Sequence, residues 1–418
     1  MARSTGAADG GLRPDSGRDE TVRVQAAIDQ AAARRQPLVL PAGRFIVRGL
    51  KLPAGTHLAG AGPSTVLQQA GSEPVLRADG AAGITIEQLS IKGGFALEAR
   101  WRGLVELRAA AGLAVRDVTI DTSSANGLVL ERCSGAVTGC RIARAAKAGI
   151  FSLDAVGGLE ISHNHIHDHA NNGIQVWRSA AGEDGTVVAL NRVERIAARD
   201  GGTGQNGNGI NVFRAGGVLV TSNRITDCAF SAVRANSAAN VQILSNNAAR
   251  MGEVAIFVEF AFEGAVVSGN LIDGAATGIS VTNFDHGGRL AVVQGNLVRN
   301  LQLHRGPSDP GGYGIAVEAD AAITGNTVEA APVAGLLLGW GRYCRDLAAT
   351  GNVIRKCPVG IAVTSDAAAG TVLVANNMIS GAAQGGIRQS DHGRHLGPDL
   401  ALAPPVSGRI RAIGNVVG

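Results

Sequence analysis

Residues 270–282, NLIDGAATGISVT, and residues 352–364, NVIRKCPVGIAVT, are one phrase written twice. Each opens on Asn, places Ile two residues later, passes through a short stretch and returns with Gly-Ile-x-Val. The phrase recurs eleven times between residues 140 and 415, at intervals of 23 to 38 residues. Its first position is held by Cys140, Asn164, Asn191, Asn223, Asn246, Asn270, Asn296, Asn326, Asn352, Asn377 and Asn415. Its second half recurs at Gly149-Ile150, Gly173-Ile174, Gly209-Ile210, Gly278-Ile279, Gly314-Ile315, Gly335-Leu336, Gly360-Ile361 and Gly386-Ile387. Self-similarity at this period marks a solenoid, in which each repeat buries its apolar face only against its neighbours. Strands repeated in this way fit either a sandwich or a coil of parallel strands. The phrase keeps one polarity throughout, which hairpins would not, and an Asn at one register suits a ladder of stacked side chains capping turn backbone. The expected fold is all-β, a single-stranded right-handed parallel β-helix.

Bulk composition agrees. A chain of 418 residues would ordinarily divide into two or three globular domains, but a solenoid core grows along one axis, so one domain is expected. Hydrophobic residues make up 45%, aromatics only 3%, and there are 59 glycines, as a narrow interior of small and β-branched side chains requires. The net charge is +4 and the isoelectric point about 9.0, with 17% charged residues. This mild excess suits a glycan or small anion better than the phosphate stripe of a nucleic acid. Five cysteines without a CxxC pair argue against a disulfide framework. No stretch of eighteen apolar residues is present, so no membrane span is expected.

Residues 1–20 are polar and Gly-rich and read as a loosely ordered segment. Thr21 to Arg35 carries apolar residues at Val24, Ala27, Ile28 and Ala31 behind Asp19 and Glu20, the pattern of an amphipathic helix with a favourable charge at its start. Strand and turn signals follow over Leu38–Val47, giving a cap over residues 21–50 that covers an open strand edge. Weaker repeats sit at Ile84-Thr85-Ile86 and Val118-Thr119-Ile120, and regular rungs are expected from about residue 137 to the end of the 21–418 domain.

The segment DETVRVQAAIDQAAARRQPLVLPAGRFIV resembles the N-terminal cap of pectate-lyase-like β-helix proteins. The central stretches NNGIQVWRSAAGEDGT, GGTGQNGNGINVFRAGGV and GEVAIFVEFAFEGA resemble a bacterial family of β-helix repeat proteins exported by the twin-arginine route. The resemblance implies the fold and a periplasmic address, with the export signal removed ahead of Met1. It implies no catalytic assignment. Polysaccharide lyases, C5-epimerases and glycoside hydrolases share the fold, which sets an expectation of carbohydrate chemistry by analogy.

Within each Gly-Ile-x-Val-x strand the Ile and Val point inward and the two intervening positions outward. Stacked at ~4.8 Å per rung, they form two outward columns. The central rungs pair Gln175 with Trp177, Asn211 with Phe213, Arg234 with Asn236, and Phe257 with Glu259. Polar and aromatic residues on four consecutive rungs are the pattern of a binding groove. The segments 179–186, 197–208, 283–288 and 303–312 are long enough to wall it.

Hydrolysis of a glycosidic bond needs two carboxyl groups. Glu259 and Glu318 fall in one column two rungs apart, ~9.6 Å between backbones, which suits an inverting pair. Phe257 and Phe260 would enclose Glu259 in apolar surface and raise its pKa towards that of a general acid. Glu183, Asp184, Glu253 and Glu263 are alternative partners in nearby turns, and Arg234, Asn211 and Asn236 would hold sugar hydroxyls or a carboxylate. The second reading is β-elimination or epimerisation of a uronate, with Arg234, Arg214 and Arg178 neutralising its carboxylate. The third is glycan binding without turnover. Trp177, Phe213, Phe257, Tyr313 and Trp340 are candidates for stacking on sugar rings.

Three further patterns are set aside. Residues 202–207 match GxGxxG but lead into a strand, so a dinucleotide site is not expected. His163, His165, His167 and His169 alternate along one segment and read as an outward row away from the groove strand, not as metal ligands. The repeated Asn residues read as structural. No cofactor is expected, although neither a bound cofactor nor Ca²⁺ is ruled out by sequence, and the oligomeric state is open.

Overall fold

The computed structural model describes residues 11–284, 286–304, 311–403 and 408–418. Residues 1–10 of the N-terminal segment, and Asp285 and residues 305–310 of two expected groove walls, lie outside the described residues. The chain groups into two compact units, one of residues up to Ser179 with Asp184–Asp200, the other of Ala180–Glu183 with Gly201–Gly418.

Each unit is a parallel β-helix. In the first, every turn contributes one short strand to each of three sheets. Leu38–Leu40 pairs in parallel with His57–Gly60, Gly43–Val47 with Thr65–Gln69, and Leu50–Lys51 with Leu76–Asp79. The pattern continues through Leu113–Arg116, Thr119–Ser123 and Asn126–Glu131. In the second unit the third sheet runs from Asn208–Gly216 through Val233–Asn236, Val254–Glu259 and Thr277–Thr282 to Ile387–Asp391. There Arg394–Leu396 turns back in the one antiparallel pairing among the described strands.

The phrase is explained atom by atom. Ile279 and Val281 are fully buried in the core. A Cβ on Gly278 would collide with the carbonyl oxygen of Gly314, and one on Gly314 with that of Gly335, so the turns stack at that point only because the position has no side chain. The Asn side chains form the ladder. Asn326 Oδ1 accepts the backbone N–H of Asn296 at 3.0 Å, and Asn326 Nδ2 donates to Val293 O and to Asn352 Oδ1, each at 3.0 Å. The same arrangement links Asn246, Asn270 and Asn296.

Two expectations about the N-terminal region need correction. The three-strand turn is already regular from Leu38. It is hard to read there because the ladder position is held by Leu89, Val118 and Cys140, all buried: apolar contact replaces the amide at Leu89 and Val118, and the Cys140 thiol donates to Val115 O in its place. Residues 15–20 are also held in place. Asp15 N–H donates to Arg44 O at 2.9 Å, and Glu20 N–H to Ile46 O at 2.8 Å. The helix spans Thr21–Ala33 and buries Val24 and Ile28. No helix among the described residues is long and apolar enough to cross a membrane. All five cysteines are buried free thiols.

Replacing Asn326 by Ala orphans the Asn296 N–H and the Val293 carbonyl inside the core. This should lower unfolding stability by roughly 2–4 kcal/mol, read from the urea midpoint. Thr327→Ala, at a half-buried neighbouring position, should shift it by no more than about 0.5 kcal/mol. Equal shifts would refute the ladder's structural role.

Candidate active site

The strand register of the second unit aligns Asn211 with Arg234, Phe257, Ser280 and Ala316, and Phe213 with Asn236, Glu259 and Thr282. These are the two columns that alternation predicts. They are not, however, an open groove. Asn211, Arg234, Phe257 and Glu259 are all buried. The backbone of residues 201–207 passes over Arg234 so closely that a Cβ on Gly204, which sits at φ +156°, would fall on the guanidinium.

Beneath that cover Arg234 and Glu259 form a fork, Nε to Oε1 at 2.7 Å and Nη2 to Oε2 at 2.8 Å. Asn236 Nδ2 adds a bond to Oε1 at 2.9 Å, and Glu253 stands 3.5 Å from Nη1. The guanidinium lies 4.7 Å from the Phe257 ring centroid. The purely apolar enclosure expected around Glu259 is therefore replaced by a charge-assisted fork, and three donors fix the orientation of the carboxylate.

Glu318 has the opposite environment. It follows the strand Tyr313–Val317, and the register places it beside Thr282 and so in the column of Glu259. Only 4% of it is exposed. Its Oε2 accepts the backbone N–H groups of Asn283 at 2.7 Å and Phe284 at 3.1 Å. Burial pushes its pKa up to about 7, against the pull of those two amides. The Thr282 hydroxyl in the same column is buried and has no hydrogen-bond partner among the described residues. Directly alongside lies an aromatic group: Phe260 and Phe284 with ring centroids 5.7 Å apart, and His286 edge-on to Phe260 at 5.2 Å. Phe284 is 39% exposed. This arrangement supplies a carboxyl group able to give or take a proton near neutrality, beside a surface on which a ring can stack.

Comparison with known proteins agrees with this architecture. The sequence matches the family described as the right handed beta helix region over residues 65–193 and 181–345, more than half of the chain. The chain belongs to the right-handed β-helix family. No protein of curated function matches it. The catalytic unit of a thermostable GH87 α-1,3-glucanase from Streptomyces thermodiastaticus is similar in structure, with a TM-score of 0.56, 14% identity, and coverage of 100% of this chain and 69% of that one. The N-terminal fragment of gene product 12 of bacteriophage phi29 gives a TM-score of 0.57 at 13% identity, covering 97% and 70%. Tailspike protein 3 of bacteriophage CBA120 gives 0.54 at 15%, covering 97% and 60%. At such identities the likeness is one of fold.

The remaining candidates on this β-helix scatter. In the second unit Phe213 is half-buried with the Arg214 guanidinium 4.7 Å from its ring, and Arg214 is exposed. Glu263 opens the strand Glu263–Ser268 in the first sheet, away from the columns, and pairs with Arg289 at 3.2 Å. Tyr313 is buried against Leu337 and Ala362 with Trp340 packed on them.

In the first unit Gln175 is buried, and Trp177 is half-buried, edge-on to Phe151 at 5.5 Å. Arg178 donates to Ala155 O at 3.2 Å and lies 3.9 Å from Asp184. Burial pushes the Asp184 carboxyl up, and its Oδ1 accepts from the Thr186 hydroxyl.

The expected outward row of histidines is also different. Asp168 adopts φ +60°, which breaks the alternation and buries both His167 and His169. His169 bonds to backbone through both ring nitrogens, at 3.1 Å each, and burial lowers its pKa to about 4. No group of three or more His, Cys, Asp or Glu that could hold a metal ion is found among the described residues.

Sequence reasoning gave Phe260 only the role of enclosing Glu259 and passed over Phe284, and also a charged pair of columns in the first unit, Arg77–Glu106 and Asp79–Arg108–Glu131. The signal for the latter was GLVELR at residues 103–108 beside NGLVLE at 126–131, the same phrase without its Asn.

Arg234→Met leaves the Glu259 carboxylate buried without its partner and should cost about 3–5 kcal/mol of stability. Adding Glu259→Leu should recover most of that loss in thermal melts. A double variant no more stable than the single one would contradict the ion-pair account. Glu318 adds a pH dependence. Its folded pKa of about 7 lies above the 4.5 of an ordinary glutamate, so its contribution is complete below pH 4.5 and is lost as pH rises through about 7. Glu318→Gln should flatten that slope.

Proposed function

We propose that this protein acts on a glycan, and that its second unit hydrolyses a glycosidic bond at Glu318. The observation that carries this reading is a carboxyl held near pKa 7 by burial, next to the aromatic group of Phe260, Phe284 and His286. In this scheme a sugar ring stacks on the exposed face of Phe284, and Glu318 protonates the leaving oxygen. Glu259, two rungs away in the same column and buried in its fork with Arg234 and Asn236, is the second carboxyl of the scheme and orients the attacking water once that fork opens. Its separation of ~9.6 Å along the column, before side-chain reach, suits inversion. The scheme requires neither metal nor cofactor.

The fold shared with an α-1,3-glucanase catalytic unit supports a polysaccharide substrate. Elimination on a uronate is less well supported, because the Arg234 guanidinium is occupied by Glu259 and covered by the loop at Gly204. We also infer a periplasmic location, from the resemblance of the central stretches to β-helix repeat proteins exported by the twin-arginine route.

Incubation with α- and β-linked glucans and with uronate polymers tests the scheme. New reducing ends without unsaturated products are expected, with activity falling as pH rises through about 7, because the active form of Glu318 is protonated. Glu318→Gln should lower kcat by roughly 10²–10⁴-fold and remove that limb of the profile. Full activity in Glu318→Gln would overturn the assignment, and binding without cleavage across the panel would leave a glycan-binding protein.

A further inference from the structure

We infer that the first unit carries a separate binding site for a short neutral oligosaccharide, in a cleft between the helix Thr21–Ala33 and the early rungs of the third sheet. The cleft holds about 960 Å³, within the usual range of small-molecule sites. Its floor is two outward columns of the sheet, Lys51–Arg77–Glu106 and Asp79–Arg108. One wall is the helix, where Gln25 grips the sheet edge through Lys51 N–H at 2.8 Å and Lys51 O at 2.9 Å. The other wall is Trp101, with the guanidinium groups of Arg77 and Arg100 at 5.3 Å and 5.0 Å from its ring centroid.

The floor is built rigidly and then left unfinished. Glu106 is 1% exposed. It accepts the Arg102 N–H at 2.8 Å and pairs with Arg108, so its charge is spent internally. The Lys51 ammonium and the Asp79 carboxylate, by contrast, line the cleft as exposed charges, with no hydrogen-bond or ion-pair partner among the described residues. At the wall, Trp101 Nε1 is buried without an acceptor, while Arg108 Nε, without a hydrogen bond, stands 3.7 Å from the Glu131 carboxylate. Buried donors in folded proteins are nearly always satisfied, so Trp101 Nε1 marks a place for a ligand oxygen, while the exposed Lys51 and Asp79 are open to ligand hydroxyls.

The charges decide the class of ligand. Lys51, Arg77 and Arg108 are interleaved with Glu73, Asp79 and Glu106. An anionic group would meet Asp79 and Glu73, and a cation would meet Lys51 and Arg77. A hydroxyl both donates and accepts, so a run of hydroxyls satisfies the alternation, and the apolar face of a sugar ring suits the Ala26, Leu52 and Trp101 surfaces. The site is independent of Glu318 and of any cleavage there.

Glucose trisaccharides with α-1,3, α-1,4, β-1,3 and β-1,4 linkages, titrated into the full chain by calorimetry and tryptophan fluorescence, test the inference. At least one should bind, with affinity reduced at least about tenfold in Asp79→Ala and in Lys51→Ala, each losing a charged hydrogen bond. The fluorescence change should vanish in Trp101→Phe. Glu318→Gln should bind as the wild type does at this site, which separates the two readings. Thermal melts check that each variant is folded. If none of the four trisaccharides binds, or if binding survives all three cleft variants undiminished, the inference falls.

Discussion

At the bend between the first and second sheets each successive turn of the second unit buries one side-chain amide, and that amide bonds to the turn before it and the turn after it. Asn326 takes the Asn296 N–H and gives its own Nδ2 hydrogen to Asn352. Inside a core an amide without partners is costly, so the ladder works only when every member stands at one height. Asp lacks the donor and Gln holds its amide one carbon further out. The bend is thereby kept to one geometry, and differences in turn length are displaced to other bends, as at residues 197–208. Each strand starts from the same point, so side chains from different turns fall into columns. A site assembled from Glu259, Thr282 and Glu318, which are up to 59 residues apart in sequence, depends on that alignment.

This explains which parts of the protein were legible in the sequence. The fold and the columns were, because the Asn and Gly of the phrase have steric and hydrogen-bonding reasons to repeat. The first turns were less so, since Leu89, Val118 and Cys140 occupy the ladder position without a side-chain amide. Exposure was not legible. Alternation says on which side of a sheet a residue stands, not what passes over it. The cover on Arg234 comes from a loop whose course depends on Gly204 and on Asn208, whose side chain binds the Gly204 carbonyl at 2.8 Å. Neither belongs to the repeat. The histidine segment failed for a related reason. A single left-handed residue, Asp168, shifts the alternation, and Asp is among the residues for which that conformation costs least.

Glu259 and Glu318 show how little residue type decides by itself. Both are buried glutamates of one column. One faces a guanidinium that was drawn under cover with it, so its orientation is fixed. The other is met only by two backbone amides, which do not offset its desolvation, and it holds a proton near neutral pH. An acid and a base on one scaffold need just such a separation of environments, and here it arises from a single arginine being placed three rungs from Glu318.

The aromatic residues beside Glu318 bear on the same point. The residue following the third-sheet strand adopts a left-handed conformation in many turns: Gly80, Ala109, Arg132, Asp154 and Ser237 all do so. Small, polar or flexible side chains suit that position, where a residue with a Cβ is disfavoured by roughly 1–2 kcal/mol. Phe260 occupies it at φ +62°, and Phe284 is left-handed at φ +42° in the following turn. Neither ring is needed for the interior, because the core of these turns is filled by Val258, Ile279 and Val281. The fold tolerates two bulky residues in a strained conformation and leaves Phe284 partly in water. Strain of this kind gathers where a surface is shaped for something outside it, and the backbone N–H of one of the two strained residues is a donor to Glu318.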